Sequence, residues 1–139
     1  ISDAVNTASR IESLTKYYKV SILLSEATLQ QIPQPEIFHL RYLGKVQVKG
    51  KQLPIGIHEC FSSDSEDQVI KKEKTLSIFN EGMFHFLRKS FDNAVRAFED
   101  VVSTNPDDRT AQFFLNNSIR CLQKGVPENW SGVVEMVNK

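Results

Sequence analysis

Asn6 and Arg10 stand four positions apart in the run Asp3-Ala4-Val5-Asn6-Thr7-Ala8-Ser9-Arg10. Residues four apart share one face of a helix, so a carboxamide and a guanidinium project side by side. Ser13 and Tyr17 continue that stripe. Ala4, Ala8, Ile11, Thr15 and Tyr18 follow the roughly opposite face with the 3.6-residue period of a helix packed on a core. The guanidinium is always charged, and its planar fork of donors matches phosphate oxygens. Taken alone, such a pair reads as solvated helix surface; its context decides.

That context is a series of short elements. Helical spacing predicts a first helix from Asp3 to about Tyr18, with Asp3 suited to the exposed N–H groups and dipole at its start. Residues 20–24, mostly apolar and β-branched at their start, predict a strand covered on both faces. Ser25 caps a short helix over 26–31, which Pro33 and Pro35 stop. Phe38, Leu40 and Tyr42 alternate with His39 and Arg41 as a half-buried strand does. Val46 and Val48 alternate with Lys45, Gln47 and Lys49. Beyond the turn at Gly50-Lys51-Gln52, Ile55, Ile57, Glu59 and Phe61 alternate with polar or small residues, which predicts a β-hairpin. Lys49 sits beside that turn as a flexible point charge, and Arg41 reads as a brace within its strand.

Residues 62–67, Ser-Ser-Asp-Ser-Glu-Asp, are small, polar and acidic without an apolar period, and mark a linker. They divide the chain into 1–61 and a helical extension over 68–139. In the extension, Ile78, Phe79, Gly82, Met83 and Phe86 carry helical spacing over about 68–89. Phe91, Ala94, Val95, Phe98, Val101 and Val102 form a second stripe that ends before Asn105-Pro106. Asp107 and Asp108 open a third helix, closed by Gly125 and Pro127. Trp130 and Val133 to Val137 suggest a last helical turn.

Two family resemblances follow from these motifs. The run Ser2-Asp3-Ala4-Val5-Asn6-Thr7-Ala8-Ser9-Arg10-Ile11-Glu12 resembles the late helix of the class III nucleotidyl cyclases, with Ser2 where the family has glycine. The likeness continues through Ser21-Ile22-Leu23-Leu24-Ser25-Glu26-Ala27-Thr28, Tyr42-Leu43-Gly44 and Val46-Gln47-Val48-Lys49-Gly50-Lys51, covering about the first sixty residues. It implies an α+β fold: the C-terminal part of a ferredoxin-like cyclase sheet with its packing helix, followed by an all-helical tail. It further implies that Asn6 and Arg10 are catalytic. Arg10 would stabilise charge developing at the α-phosphate, Asn6 would orient the ribose, and Lys49 would bind the β- and γ-phosphates of ATP or GTP. The separate spacing Gly82, Phe91, Ala94, Phe98, Pro106 is similar to a tetratricopeptide repeat, with His85 where tyrosine is usual.

The cyclase resemblance also sets expectations about what lies elsewhere. The family's two metal-binding aspartates precede the Asn/Arg helix, so the magnesium or manganese ions would be held by residues not on this chain. Each active site forms across a head-to-tail dimer, and this segment would supply only the Asn/Arg half. It is expected to be inactive alone. Starting at Ile1 without methionine, it reads as a piece of something longer.

Composition adds exclusions. Lys plus Arg equal Asp plus Glu at 17 each, so no net field favours nucleic acid or an anionic membrane. Cys60 and Cys121 fall in separate modules without ligand spacing and read as free thiols of a reducing cytoplasm. His39, His58 and His85 are scattered, none at metal-ligand spacing. No apolar run is long enough to span a bilayer. The rival reading, prompted by Ser2, is a degenerate cyclase-like module that regulates or binds protein partners through its helical tail. A Phe98→Asp change that spared folding and abolished partner capture would favour it.

Overall fold

The computed structural model describes residues 3–48 and 53–135, with the backbone alone for 3–10. The chain forms two compact units, one running to Ser63 and resuming at Val133, the other Asp64–Gly132.

The first unit opens with helix α1, Asp3–Tyr18. Its period buries Ile11, Leu14 and Tyr18 and leaves Glu12, Ser13, Lys16 and Tyr17 exposed. Lys19 then takes a positive φ of 63°, the left-handed conformation that commonly ends a helix. Strand β1 is Leu23–Ser25, shorter than the predicted 20–24 run and offset from it. Ser25 accepts a hydrogen bond from the Thr28 amide and starts helix α2, Glu26–Gln30. After a 3₁₀ turn at Pro35–Ile37, strand β2 covers Leu40–Gln47 and strand β3 covers Ile55–Cys60. The two predicted strands before the hairpin turn are therefore one strand. It is interrupted by an irregularity between Tyr42 and Lys45, where Gly44 adopts φ 94°. A bulge there needs the conformation glycine alone takes without strain.

The sheet order is β1-β3-β2-β4. β3 pairs antiparallel with both β1 and β2. β4 is Val134–Glu135, parallel to the C-terminal end of β2 through Val46↔Val134 and Gln47↔Glu135. The sequence predicts a helical turn in this region, and the structure corrects it. The β-branched pair Val133-Val134 follows Gly132 into extended backbone and takes the open β2 edge instead. Val137 lies outside the described residues.

On one face of the sheet, Arg41 and Glu59 lie directly opposite each other in register. Arg41 Nε and Nη2 both reach Glu59 Oε1, at 2.8 and 2.7 Å, and both residues are 1% exposed. The guanidinium also lies 5.8 Å from the Phe61 ring centroid. Arg41 is thus a brace between strands, in keeping with its place in the alternation.

The second unit begins at the acidic run. Asp64 is paired with the buried Lys72 ammonium at 2.6 Å, and Ser65 caps helix α3, Glu66–Lys74, by accepting from the Gln68 amide. The single helix expected over 68–89 is two. Thr75, 1% exposed, turns its hydroxyl back to the Lys71 carbonyl, and helix α4, Leu76–Leu87, starts afresh. Helix α5 is Phe91–Thr104 and helix α6 is Arg109–Lys124. The buried Asp108 caps α6 through the Ala111 amide.

Phenylalanine rings fill the middle. Phe98 stacks on Phe114 at 5.8 Å, and Phe79 meets both edge-on. Gly82 makes this possible: a Cβ there would sit 2.7 Å from the Phe98 ring. A reciprocal amide pair, Gln68 with Asn105, ties α3 to the end of α5.

Candidate functional site

Helix α1 is continuous through positions 6 and 10, so the backbone places them one turn apart on a single face. Their side chains lie outside the described residues. The described continuation of their stripe, Ser13 and Tyr17, is exposed, whereas Ile11, Leu14 and Tyr18 are buried. The helical register therefore aligns positions 6 and 10 with solvent-facing residues, and the face that closes the core is a different one.

Lys49 lies outside the described residues, beyond β2 and the buried Val48. The hairpin that carries it is in place: β2 and β3 pair up to Val46↔Ile55.

A second group of polar residues gives no signal in the sequence. Tyr42 and His58 are cross-strand partners with ring centroids 5.1 Å apart. Glu26, at the start of α2, brings Oε2 to 4.0 Å from His58 Nε2. Its Oε1 lies over Gly56, where an added Cβ would collide with it. Among the described residues, His58 Nε2 is buried without a hydrogen-bond partner. Burial pushes the imidazole below its ordinary range, while the Glu26 carboxylate pulls the other way. The Tyr42 hydroxyl is pushed up by burial and by Glu26. The neutral imidazole is thus favoured over the charged one. Only the strand register could have revealed this group beforehand, because Glu26 and His58 are 32 positions apart.

In the helical unit, Phe98 is fully buried against Gly82. A Phe98→Asp change would place a charge in the core, so it cannot test partner binding while sparing the fold. Ile70, Phe84 and Leu122 are the exposed large apolar residues of this unit among the described residues, and the Arg88 guanidinium lies 5.0 Å from the Phe84 ring centroid. No helix among the described residues is long and apolar enough to cross a membrane.

Two curated relatives are similar to this chain. The terminal-differentiation-specific adenylate cyclase of Dictyostelium discoideum is 32% identical over 124 residues, 88% of this chain and 6% of its own length. An adenylate cyclase of Anabaena cylindrica is 52% identical over 60 residues, 42% of this chain and 12% of its own. The chain thus spans a small fraction of either relative. The longer match is too long to lie within one unit, so it takes in part of both. No protein-family profile matches, and no solved structure matches.

Proposed function

From the class III cyclase-related region that this chain carries, we propose that it is the C-terminal part of an adenylate cyclase catalytic domain with a helical extension. The parent would convert ATP to cyclic 3′,5′-AMP and pyrophosphate. The ribose 3′-oxygen attacks the α-phosphorus as it loses its proton, and the bond to the leaving pyrophosphate breaks. Arg10 would hold the charge that gathers on the α-phosphate oxygens, where a fixed cation sheltered from water acts most strongly. Asn6 would orient the ribose, and Lys49 would bind the β- and γ-phosphates.

The observation that carries this reading is positional. Positions 6 and 10 share by helical register the face that Ser13 and Tyr17 continue, and those two residues are exposed. A head-to-tail homodimer would supply what faces it. Magnesium or manganese in the parent would be held by residues outside this chain.

Two substitutions in the parent protein test the assignment. Arg10→Ala should lower turnover with ATP by about 10²–10³-fold, the usual loss for one transition-state donor, with the thermal unfolding midpoint unchanged. Turnover that stays at the parent level would remove Arg10 from the mechanism. Lys49→Ala should raise KM more than it lowers kcat, and the opposite split would refute a ground-state phosphate contact.

A second reading concerns the helical unit. Its exposed Phe84 and Ile70 fit a protein-interaction surface, and the Dictyostelium match takes in part of this unit. Phe84→Asp then replaces Phe98→Asp as the test, because Phe84 is 57% exposed. It should abolish association of the parent with its regulatory partner while leaving basal turnover intact. Retained association would refute a role for this face.

A further inference from the structure

We propose that the corner where α4 meets α5 is a binding site for a turn that presents a tryptophan, filled here by residues 126–132 as a built-in ligand. Every residue involved belongs to the helical unit. The site is separate from the exposed Phe84 face and does not depend on the nucleotide reading.

The helical core fixes the receptor side. Phe86 and Phe91, each 7% exposed, meet edge-on at 5.8 Å, and Phe86 meets Phe114 of α6 at 5.9 Å. Lys89, at φ 65° in the link between α4 and α5, donates from its ammonium to the Glu128 carbonyl at 3.0 Å.

The occupant has the character of a bound peptide. Gly125 closes α6 at φ 75°, and the chain is neither helix nor strand from there through Gly132. Pro127, Glu128, Asn129 and Ser131 are exposed. The Trp130 amide donates to the Pro127 carbonyl at 3.0 Å, which makes a tight turn with the indole at its end. That indole lies 5.5 Å from the Phe86 ring and 5.3 Å from the Phe91 ring, edge-on to both, the arrangement aromatic pairs prefer.

These contacts define what the corner accepts. It takes an aromatic ring, a backbone carbonyl two residues ahead of it for Lys89, and glycine two residues behind it. At Gly132 the φ is 79°, and an added Cβ would sit 2.7 Å from Leu87 Cδ2 and 3.3 Å from the Trp130 ring. A large ring seated in a packed apolar site is the usual anchor of protein recognition. The partner that fits is therefore a polypeptide displaying Trp-x-Gly on a tight turn, and the segment seated in the corner specifies that chemistry.

The built-in segment also sets a threshold. Docking one half-buried indole is worth roughly ten- to hundred-fold in an equilibrium, so the segment lifts in about 1–10% of molecules. A partner meets an open corner only in that fraction, and its apparent affinity falls by the same factor.

The probe is a synthetic peptide with the sequence of residues 125–133. Trp130 is the sole tryptophan of the chain, so Trp130→Ala empties the corner and leaves the probe as the one source of indole emission. The peptide should bind the full Trp130→Ala chain saturably, with a blue shift. A labelled copy should bind the parent chain about ten- to hundred-fold more weakly by fluorescence anisotropy. Peptides carrying Trp130→Ala or Gly132→Val should fail to compete, and Lys89→Met in the chain should weaken binding roughly two- to ten-fold. No saturable shift with a folded Trp130→Ala chain, equal affinity for the two chains, or full competition by the alanine peptide would overturn the site.

A second measurement decides the matter even if Trp130→Ala unfolds the helical unit. In an isotope-labelled parent chain titrated with unlabelled peptide, the Trp130 indole N–H resonance should move steadily toward its position in the free peptide. A resonance unmoved at the peptide's solubility limit would overturn the proposal.

Discussion

The Arg41–Glu59 pair joins two ions through one carboxylate oxygen in a nearly dry setting. Removing one partner breaks this buried pair, a loss of about 3–5 kcal/mol. Glu59→Gln or Arg41→Met should therefore lower the unfolding free energy by that amount in chemical denaturation. Combining Arg41→Met with Glu59→Leu replaces both ions by apolar side chains and should recover most of the loss. A double variant no better than either single one would show that the pair is not what the site needs.

His58 carries a pH dependence whose sign follows from its surroundings. Its folded-state pKa is depressed from 6.5, chiefly by burial, so the unfolded chain binds the proton more readily. Stability from this group is present above the unfolded value and is lost as pH falls through it toward the folded one. Melting between about pH 7.5 and 5.5 should thus flatten in His58→Phe relative to the parent chain. Glu26→Gln removes the charge that draws the imidazole back up, and an NMR titration should find His58 protonating at still lower pH. A rise in that variant would contradict the geometry.

At the scale of elements, Gly82 sets how closely α4 and α5 meet. Gly82→Ala gains about 0.5–1 kcal/mol of helix propensity but drives a methyl into the Phe98 ring, and overpacking costs about 1–3 kcal/mol. The balance should be destabilising, and adding Phe98→Leu should reverse the sign of the alanine's effect. Elements like these are legible because their periods are local. The α1 stripe, the β2–β3 hairpin and the aromatic faces of α4, α5 and α6 all declare themselves within a dozen residues. The break at Thr75 is not legible, since a buried hydroxyl turning back to Lys71 looks like any threonine in an amphipathic run. Strand β4 is hidden for another reason: two residues carry no period, and only an open edge on β2 makes them a strand. The Glu26–His58 approach likewise needs the sheet register before it exists. Of the candidate site, the helix and the spacing of positions 6 and 10 are readable in the sequence.

Across the whole molecule, two units share one chain, and the helical unit is inserted in sequence between β3 and β4. The acidic stretch between β3 and α3 contains its own fastenings. Ser62 accepts from the His39 amide on one side, and Asp64 holds Lys72 on the other. Asp64→Asn should therefore destabilise the helical unit, because it removes an ion pair with Lys72, which is 7% exposed. Circular dichroism at 222 nm should show an earlier transition in that variant, and an unchanged midpoint would mean that water replaces the carboxylate.

The parallel pairing of β4 with β2 has a consequence for how the protein is made. Val134 reaches its partner about ninety positions after Val46 has left the ribosome, a separation that belongs with slow, non-local contacts. The nascent sheet waits with one border bare while every helix of the insertion is being synthesised. Completion of this sheet thus waits on residues translated long after its β2 strand.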